Sequence, residues 1–159
     1  MAENHERIVW SPPSHGVVVI GDVLVQLWEL ASPTEAFRSI LSWCELRKER
    51  QPSAPLWMIT IVGENSTMPD AQARSIAAEF PRFFTEFVMV VEGSGFRASV
   101  VRSVLAGMSM LAPRRTAPHI VDGLSHGALL LASLSQGAIS PNALGTDIGQ
   151  IRQALRSAQ

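Results

Sequence analysis

Five apolar residues, Phe87 to Val91, run without a polar interruption, and Glu92-Gly93-Ser94-Gly95 ends the run. A segment with helical periodicity, Phe96 to Leu111, starts directly after it. A strand that is apolar on both faces is buried on both sides, which points to a parallel sheet covered by helices. The same strand-then-helix alternation recurs along the chain and predicts the elements that follow.

Arg7 to Trp10 reads as a short edge strand closed by Ser11-Pro12-Pro13. Val17 to Ile20 and Val23 to Trp28 flank Gly21-Asp22, a pair that suits a two-residue hairpin of the II′ kind. Ser32-Pro33-Thr34-Glu35 is a helix start: Ser32 caps, Pro33 takes the first helical position and Glu35 completes a capping box. Phe37, Ile40, Leu41 and Cys44 keep one helical face. Leu56 to Val62 is a strand. A helix beginning near Thr67 or Pro69 carries Ala73, Ile76, Ala77 and Phe80 on one face, with Pro81 disturbing its end. The helix after Phe87–Val91 buries Val100, Val101, Val104, Leu105 and Met108, and Pro113-Arg114-Arg115-Thr116 closes it. His119 to Val121 is a short strand and Leu124 to Leu134 a helix. Asn142 to Ser157 is a last amphipathic helix with Leu144, Ile148, Ile151 and Leu155 on its stripe.

The predicted class is therefore α/β: a mixed, largely parallel β-sheet with an N-terminal hairpin, flanking helices and an appended C-terminal helix. Residues 1–140 form the domain. Residues 141–159 form the appended helix, which packs on the domain or on a partner.

Composition narrows the function classes. The 159 residues carry a net charge of −1, and 17% are charged, below the usual share of about 25%. Mean hydropathy is +0.17, too apolar for a disordered chain. The charge balance gives no attraction to nucleic acid. Lys48 is the only lysine and the arginines are scattered, so they mark no phosphate-binding patch. Cys44, the single cysteine, excludes an internal disulfide and a zinc cluster and falls on an apolar stripe. The N-terminus lacks the basic and apolar regions of a signal peptide, and no apolar run approaches about 18 residues. A cytoplasmic protein without membrane insertion is expected.

The order of elements, with Trp28-Glu29 running into Ser32-Pro33-Thr34-Glu35-Ala36-Phe37, the strand end Val91-Glu92-Gly93, and Gly95-Phe96-Arg97-Ala98 opening a helix, resembles the STAS-like domains (sulfate transporter and anti-sigma-factor antagonist). More narrowly it looks like the bacterial branch grouped with CRAL-TRIO-like folds. The resemblance spans Val17 to Leu134. It implies a non-enzymatic regulatory or scaffold protein that acts through a protein partner, and through a second copy of itself in some cases, with no cofactor. In phosphorylated members a Ser within Asp-Ser-x-Gly opens the helix after a central strand. Here Ser66 and Thr67 stand near that place, with Asn65 before them and no glycine two residues on.

Candidate chemistry is sparse. Gly93, Ser94, Gly95 and Arg97 form a strand-to-helix turn whose amides and helix dipole suit a small ligand or anion. The turn lacks the Lys-Ser/Thr pair of a Walker loop, and the plainer reading is a tight turn of permissive glycines. Ser66 and Thr67 are candidate phosphorylation sites or, more simply, helix caps. His119, Asp122 and His126 are close in sequence but too few for a metal site. Gly93-Ser94-Gly95 lacks the spacing of a nucleophile elbow. His5 and His15 fall in the N-terminal segment and are expected in solvent. Trp28 and Trp57 belong in the core; Trp43 lies beside its helix's stripe, as a partner contact or a core edge.

Overall fold

The computed structural model describes residues 5–95, 98, 99, 101, 102 and 118–158. Six strands lie in chain order across one sheet: β1 (His5–Ser11), β2 (His15–Ile20), β3 (Val23–Trp28), β4 (Trp57–Val62), β5 (Glu86–Val91) and β6 (His119–Val121). The first three are antiparallel, and β3 to β6 run parallel. Four α-helices are described: α1 (Thr34–Arg50), α2 (Ala71–Ala77), α3 (Leu124–Leu134) and α4 (Pro141–Ser157). A 3₁₀ turn, Phe80–Phe83, follows α2. The α/β class, the hairpin and the largely parallel sheet are as the hydrophobic pattern predicts. The helix expected from Phe96 to Leu111 lies mostly outside the described residues.

Gly21 has φ of +59° at the first position of the β2–β3 turn, as a II′ turn demands. All six residues of β3 are buried, because the strand lies inside the sheet with helices on both faces. One face packs Val25, Leu27, Ile59, Ile61, Val88 and Val90 against α3 and α4. The other packs Leu24, Trp28 and Met58 against α1, α2 and Phe80.

Several local expectations need correction. Pro33, not Ser32, stands at the cap position of α1, and no side chain caps that end. The Ser32 hydroxyl instead donates to the Thr67 carbonyl at 3.1 Å, tying two loops together, and Glu35 faces solvent beside Arg38. Asp70 caps α2 by accepting from the Ala73 amide at 2.8 Å, so neither Ser66 nor Thr67 opens that helix. His15 is buried, its ring stacked on Trp28 at 5.7 Å between centroids, and burial lowers its pKa from the usual value. It lies on the same strand as the core valines, separated from Val17 only by Gly16.

The C-terminal helix is part of the core. Leu144, Ile148, Ile151 and Leu155 are all buried against the sheet, so the stripe that seemed available to a partner is covered by the protein's own strands. Trp43 is half-buried at the edge of α1 and donates to Glu6 of β1 at 3.2 Å.

Gly127 sets how closely α3 approaches β5. A methyl group there would lie 2.6 Å from Val90 Cγ2 and 3.4 Å from Ile59 Cδ1. Helix propensity favours Ala over Gly by about 1 kcal/mol. Overpacking of a filled core costs roughly 1–3 kcal/mol, and Val90 is fully buried. Gly127→Ala is therefore expected to lower stability in urea unfolding; a gain would mean that α3 has room to stand away from the sheet.

Candidate functional site

The glycine turn expected to hold a ligand is built as a tight connection. Gly93 and Gly95 have φ of +99° and +97°, in the region that favours glycine. Arg102 donates to the carbonyls of Val91 at 3.0 Å and Gly93 at 2.9 Å, closing the turn from the helix that follows. Ser94 is exposed, and Arg97 lies outside the described residues. The Glu64 side chain passes within 3.1 Å of where a Gly93 methyl would sit, so it flanks the turn. Ser66 is buried, whereas Thr67 is exposed and its hydroxyl donates to the Leu30 carbonyl at 3.2 Å.

The carboxyl ends of the parallel strands, where open α/β sheets usually take ligands, are occupied by an ion cluster. Continuing the registers of β3, β4 and β5 brings Glu29, Gly63 and Glu92 side by side. Arg152 of α4 reaches over them, pairing with Glu29 through Nε and with both oxygens of Glu92, one at 2.6 Å. Arg156 adds a second contact to Glu29 at 2.8 Å. Glu29 and Arg152 side chains are each only 9% exposed. Gly63 makes the cluster possible, since a methyl there would lie 3.2 Å from a Glu29 oxygen and 3.1 Å from the Trp28 carbonyl. Burial alone would raise the pKa of Glu29, but hydrogen bonds from Arg152 and Arg156 outweigh it and bring it below the usual value. The cluster ties α4 across three strands.

The larger opening is on the other side of the sheet. Residues two apart on a strand share a face, so Gln26 and Trp28, then Met58, Thr60 and Val62, then Phe87 and Met89 point the same way. Gln26, Thr60 and Met89 stand in one row across β3, β4 and β5. Above them α1 is 17 residues long, but α2 is only seven and contributes Ala73 as its one buried side chain. A cavity of about 680 Å³ lies over the row. Trp28, Phe37 and Phe80 form one wall, stacked at 5.0 Å and 6.0 Å with planes nearly parallel. Met68, Ala77, Val101 and Pro118 also line the cavity.

Two polar side chains stand in this apolar floor. Gln26 Oε1 accepts from Trp28 Nε1 at 3.1 Å, and its amide nitrogen lies 2.8 Å from Met58 Sδ. Thr60 is only 4% exposed, and its hydroxyl has no hydrogen-bond partner among the described residues. Leaving a buried hydroxyl unpaired costs about 1–3 kcal/mol. Sequence reading passed over both residues, although each is the lone polar position in an otherwise apolar strand.

The histidines form no centre. His119 pairs with Glu86 at 3.2 Å and His126 lies 3.7 Å from Asp122, on separate exposed patches. Among the described residues no group of three or more potential ligands is placed to hold a metal ion, and no helix is long and apolar enough to cross a membrane. Burial pushes the Cys44 thiol up to about 12, so it stays protonated and inert at neutral pH. No protein-family model, curated protein or solved structure matches this chain.

Two outcomes are expected. Glu29 has its pKa lowered on folding, so its contribution to stability is present above its unfolded value near 4.5 and is lost as pH falls through the lower folded value. Urea unfolding of Glu29→Gln should show lower stability than the wild type at pH 7, with the gap closing below pH ~4; a gap independent of pH would contradict this. Thr60→Val removes an unpaired hydroxyl at nearly constant shape and should raise stability by about 1 kcal/mol, read as a thermal midpoint higher by roughly 2–4 °C. A lower midpoint would mean that the hydroxyl is satisfied in solution.

Proposed function

We propose that this protein is a small-ligand-binding module that takes a largely apolar molecule in the cavity between β3–β5 and the α1–α2 layer. The observation that carries the reading is the cavity itself: about 680 Å³, walled by aromatic rings, with a buried unpaired hydroxyl on its floor. Ligand sites are characteristically concave, mostly apolar and furnished with a few convergent polar groups, over volumes of about 300–1,000 Å³. The reading assigns no reaction to the protein.

Kinship with the STAS-like domains stays within this proposal, supported by the order of elements from β2 to α3. A regulatory scaffold working through protein contacts, the role that kinship implies, ranks second. The low share of charged residues still favours it, but the C-terminal stripe that would have met a partner is buried against the sheet. The exposed large apolar residues Leu30, Leu46, Met68 and Leu129 are spread over two loops, α1 and α3. Ligand occupancy is a natural way for such a domain to change what it presents to a partner.

The test is titration with 1-aminoanthracene, a neutral aromatic probe whose fluorescence rises in apolar surroundings. Saturable binding is expected for the wild type, weakened at least about tenfold, or ~1.4 kcal/mol, by Met89→Trp, which fills the cavity from β5. Ala77→Phe fills it from α2 and guards against a single misfolded variant; cooperative thermal unfolding identifies the folded proteins. Equal binding by the wild type and both folded variants would remove the cavity as the site.

A further inference from the structure

The chemical character of the ligand follows from what the cavity floor offers, an inference that rests on the ligand-binding reading above and deepens it. Among the described residues, the charged side chains around the cavity, Arg74, Glu79 and Arg82, are all exposed on α2 and the turn after it. Arg74 donates to the Pro69 carbonyl at 2.7 Å, and Arg82 pairs with Glu79 at 3.1 Å and Glu45 at 3.2 Å. The floor row of Gln26, Thr60 and Met89 holds no formal charge. An ionised head group seated there would lose its water and meet no counter-charge from the described residues of the floor.

What the floor offers is neutral hydrogen bonding. The indole N–H of Trp28 is only a donor, so the Gln26 oxygen must face it and the amide NH₂ must face Met58. A thioether is a weak acceptor, and the amide carries two hydrogens. The neighbouring Thr60 hydroxyl, in register with Gln26 on the adjoining strand, is unpaired among the described residues. A carbonyl oxygen can accept from this pair. A hydroxyl can accept as well and also donate to Thr60. We infer that the cavity selects an apolar molecule bearing an uncharged oxygen function, a carbonyl or hydroxyl, that sits against Thr60 and Gln26, and that it rejects ionised carboxylates and phosphates.

The experiment is calorimetric titration at pH 7 with four probes on one skeleton: 2-methylnaphthalene, 2-naphthol, 2-acetylnaphthalene and 2-naphthoate. The wild type should bind the naphthol and the ketone about tenfold tighter than the hydrocarbon, and the carboxylate most weakly. Thr60→Val should close most of the gap between the oxygen-bearing probes and the hydrocarbon, and Thr60→Ser should keep it. Gln26→Leu should reduce the ketone preference independently. Binding of all four probes without discrimination, or tightest binding of 2-naphthoate, overturns the inference and leaves the cavity reading standing. Binding of none of them, the hydrocarbon included, overturns both.

Discussion

A sheet that is apolar on both faces has to be covered twice, and this requirement shapes the protein. β3, β4 and β5 bury side chains above and below, so each face needs its own layer. The crossovers that join parallel strands keep one hand, which puts α1 and α2 on the same side. The opposite face is left to the C-terminal part of the chain, and α3 and α4 both close it. That division of labour explains why the last helix, separated from the rest by a short break, cannot be a dispensable appendage. Without it the buried Leu144, Ile148, Ile151 and Leu155 would be lost from the core, and burial of each such side chain is worth roughly 1.5–3 kcal/mol.

The two faces are covered unequally. α3 comes close because Gly127 lets it touch Val90, and α4 is held by Arg152 bridging Glu29 and Glu92. An ion pair this buried adds little net stability over an apolar filling, since desolvating both charges offsets much of their attraction. Its consequence is positional: it fixes α4 at one angle across three strand ends and occupies the place where an open α/β sheet would ordinarily take a substrate. On the other face α1 is long, but α2 breaks after seven residues before Pro81. The cavity opens on this face, away from the strand ends that the ion cluster closes.

Much of this architecture is legible in the sequence, because buried parallel strands leave a strong signal. The runs Leu56–Val62 and Phe87–Val91, the Gly21-Asp22 turn and the helix from Leu124 to Leu134 carry period and punctuation that local physics reads directly. Caps were less legible. Ser32 and Thr67 have the right chemistry for helix starts, yet their hydroxyl and carbonyl meet each other across 35 positions, a pairing that only the tertiary arrangement creates. His15 was hidden for a similar reason, since its burial depends on Trp28 of the next strand. The site itself went unread because attention to motifs favours loops. Its signal was a different one: Gln26 in Val-Leu-Val-Gln-Leu-Trp and Thr60 in Trp-Met-Ile-Thr-Ile-Val occupy the same phase of two strands that pair in register.

A polar residue in such a strand has a cost that an apolar one would not. Valine at Thr60 and leucine at Gln26 would satisfy the same pattern and pack as well, and an unpaired buried hydroxyl lowers stability. Packing accounts for Met89 and Phe87 but gives no reason for the two polar neighbours beside them. Several buried polar side chains nearby have partners, Ser32 the Thr67 carbonyl, Glu29 two guanidinium groups and Gln26 the Trp28 indole, whereas the Trp57 indole N–H on the same strand as Thr60, like the Thr60 hydroxyl, has none among the described residues. Of these unpartnered groups among the described residues, the Thr60 hydroxyl is the one whose residue lines the cavity. Structures tolerate such local conflict mainly where function requires it, and here the conflict and the opening coincide.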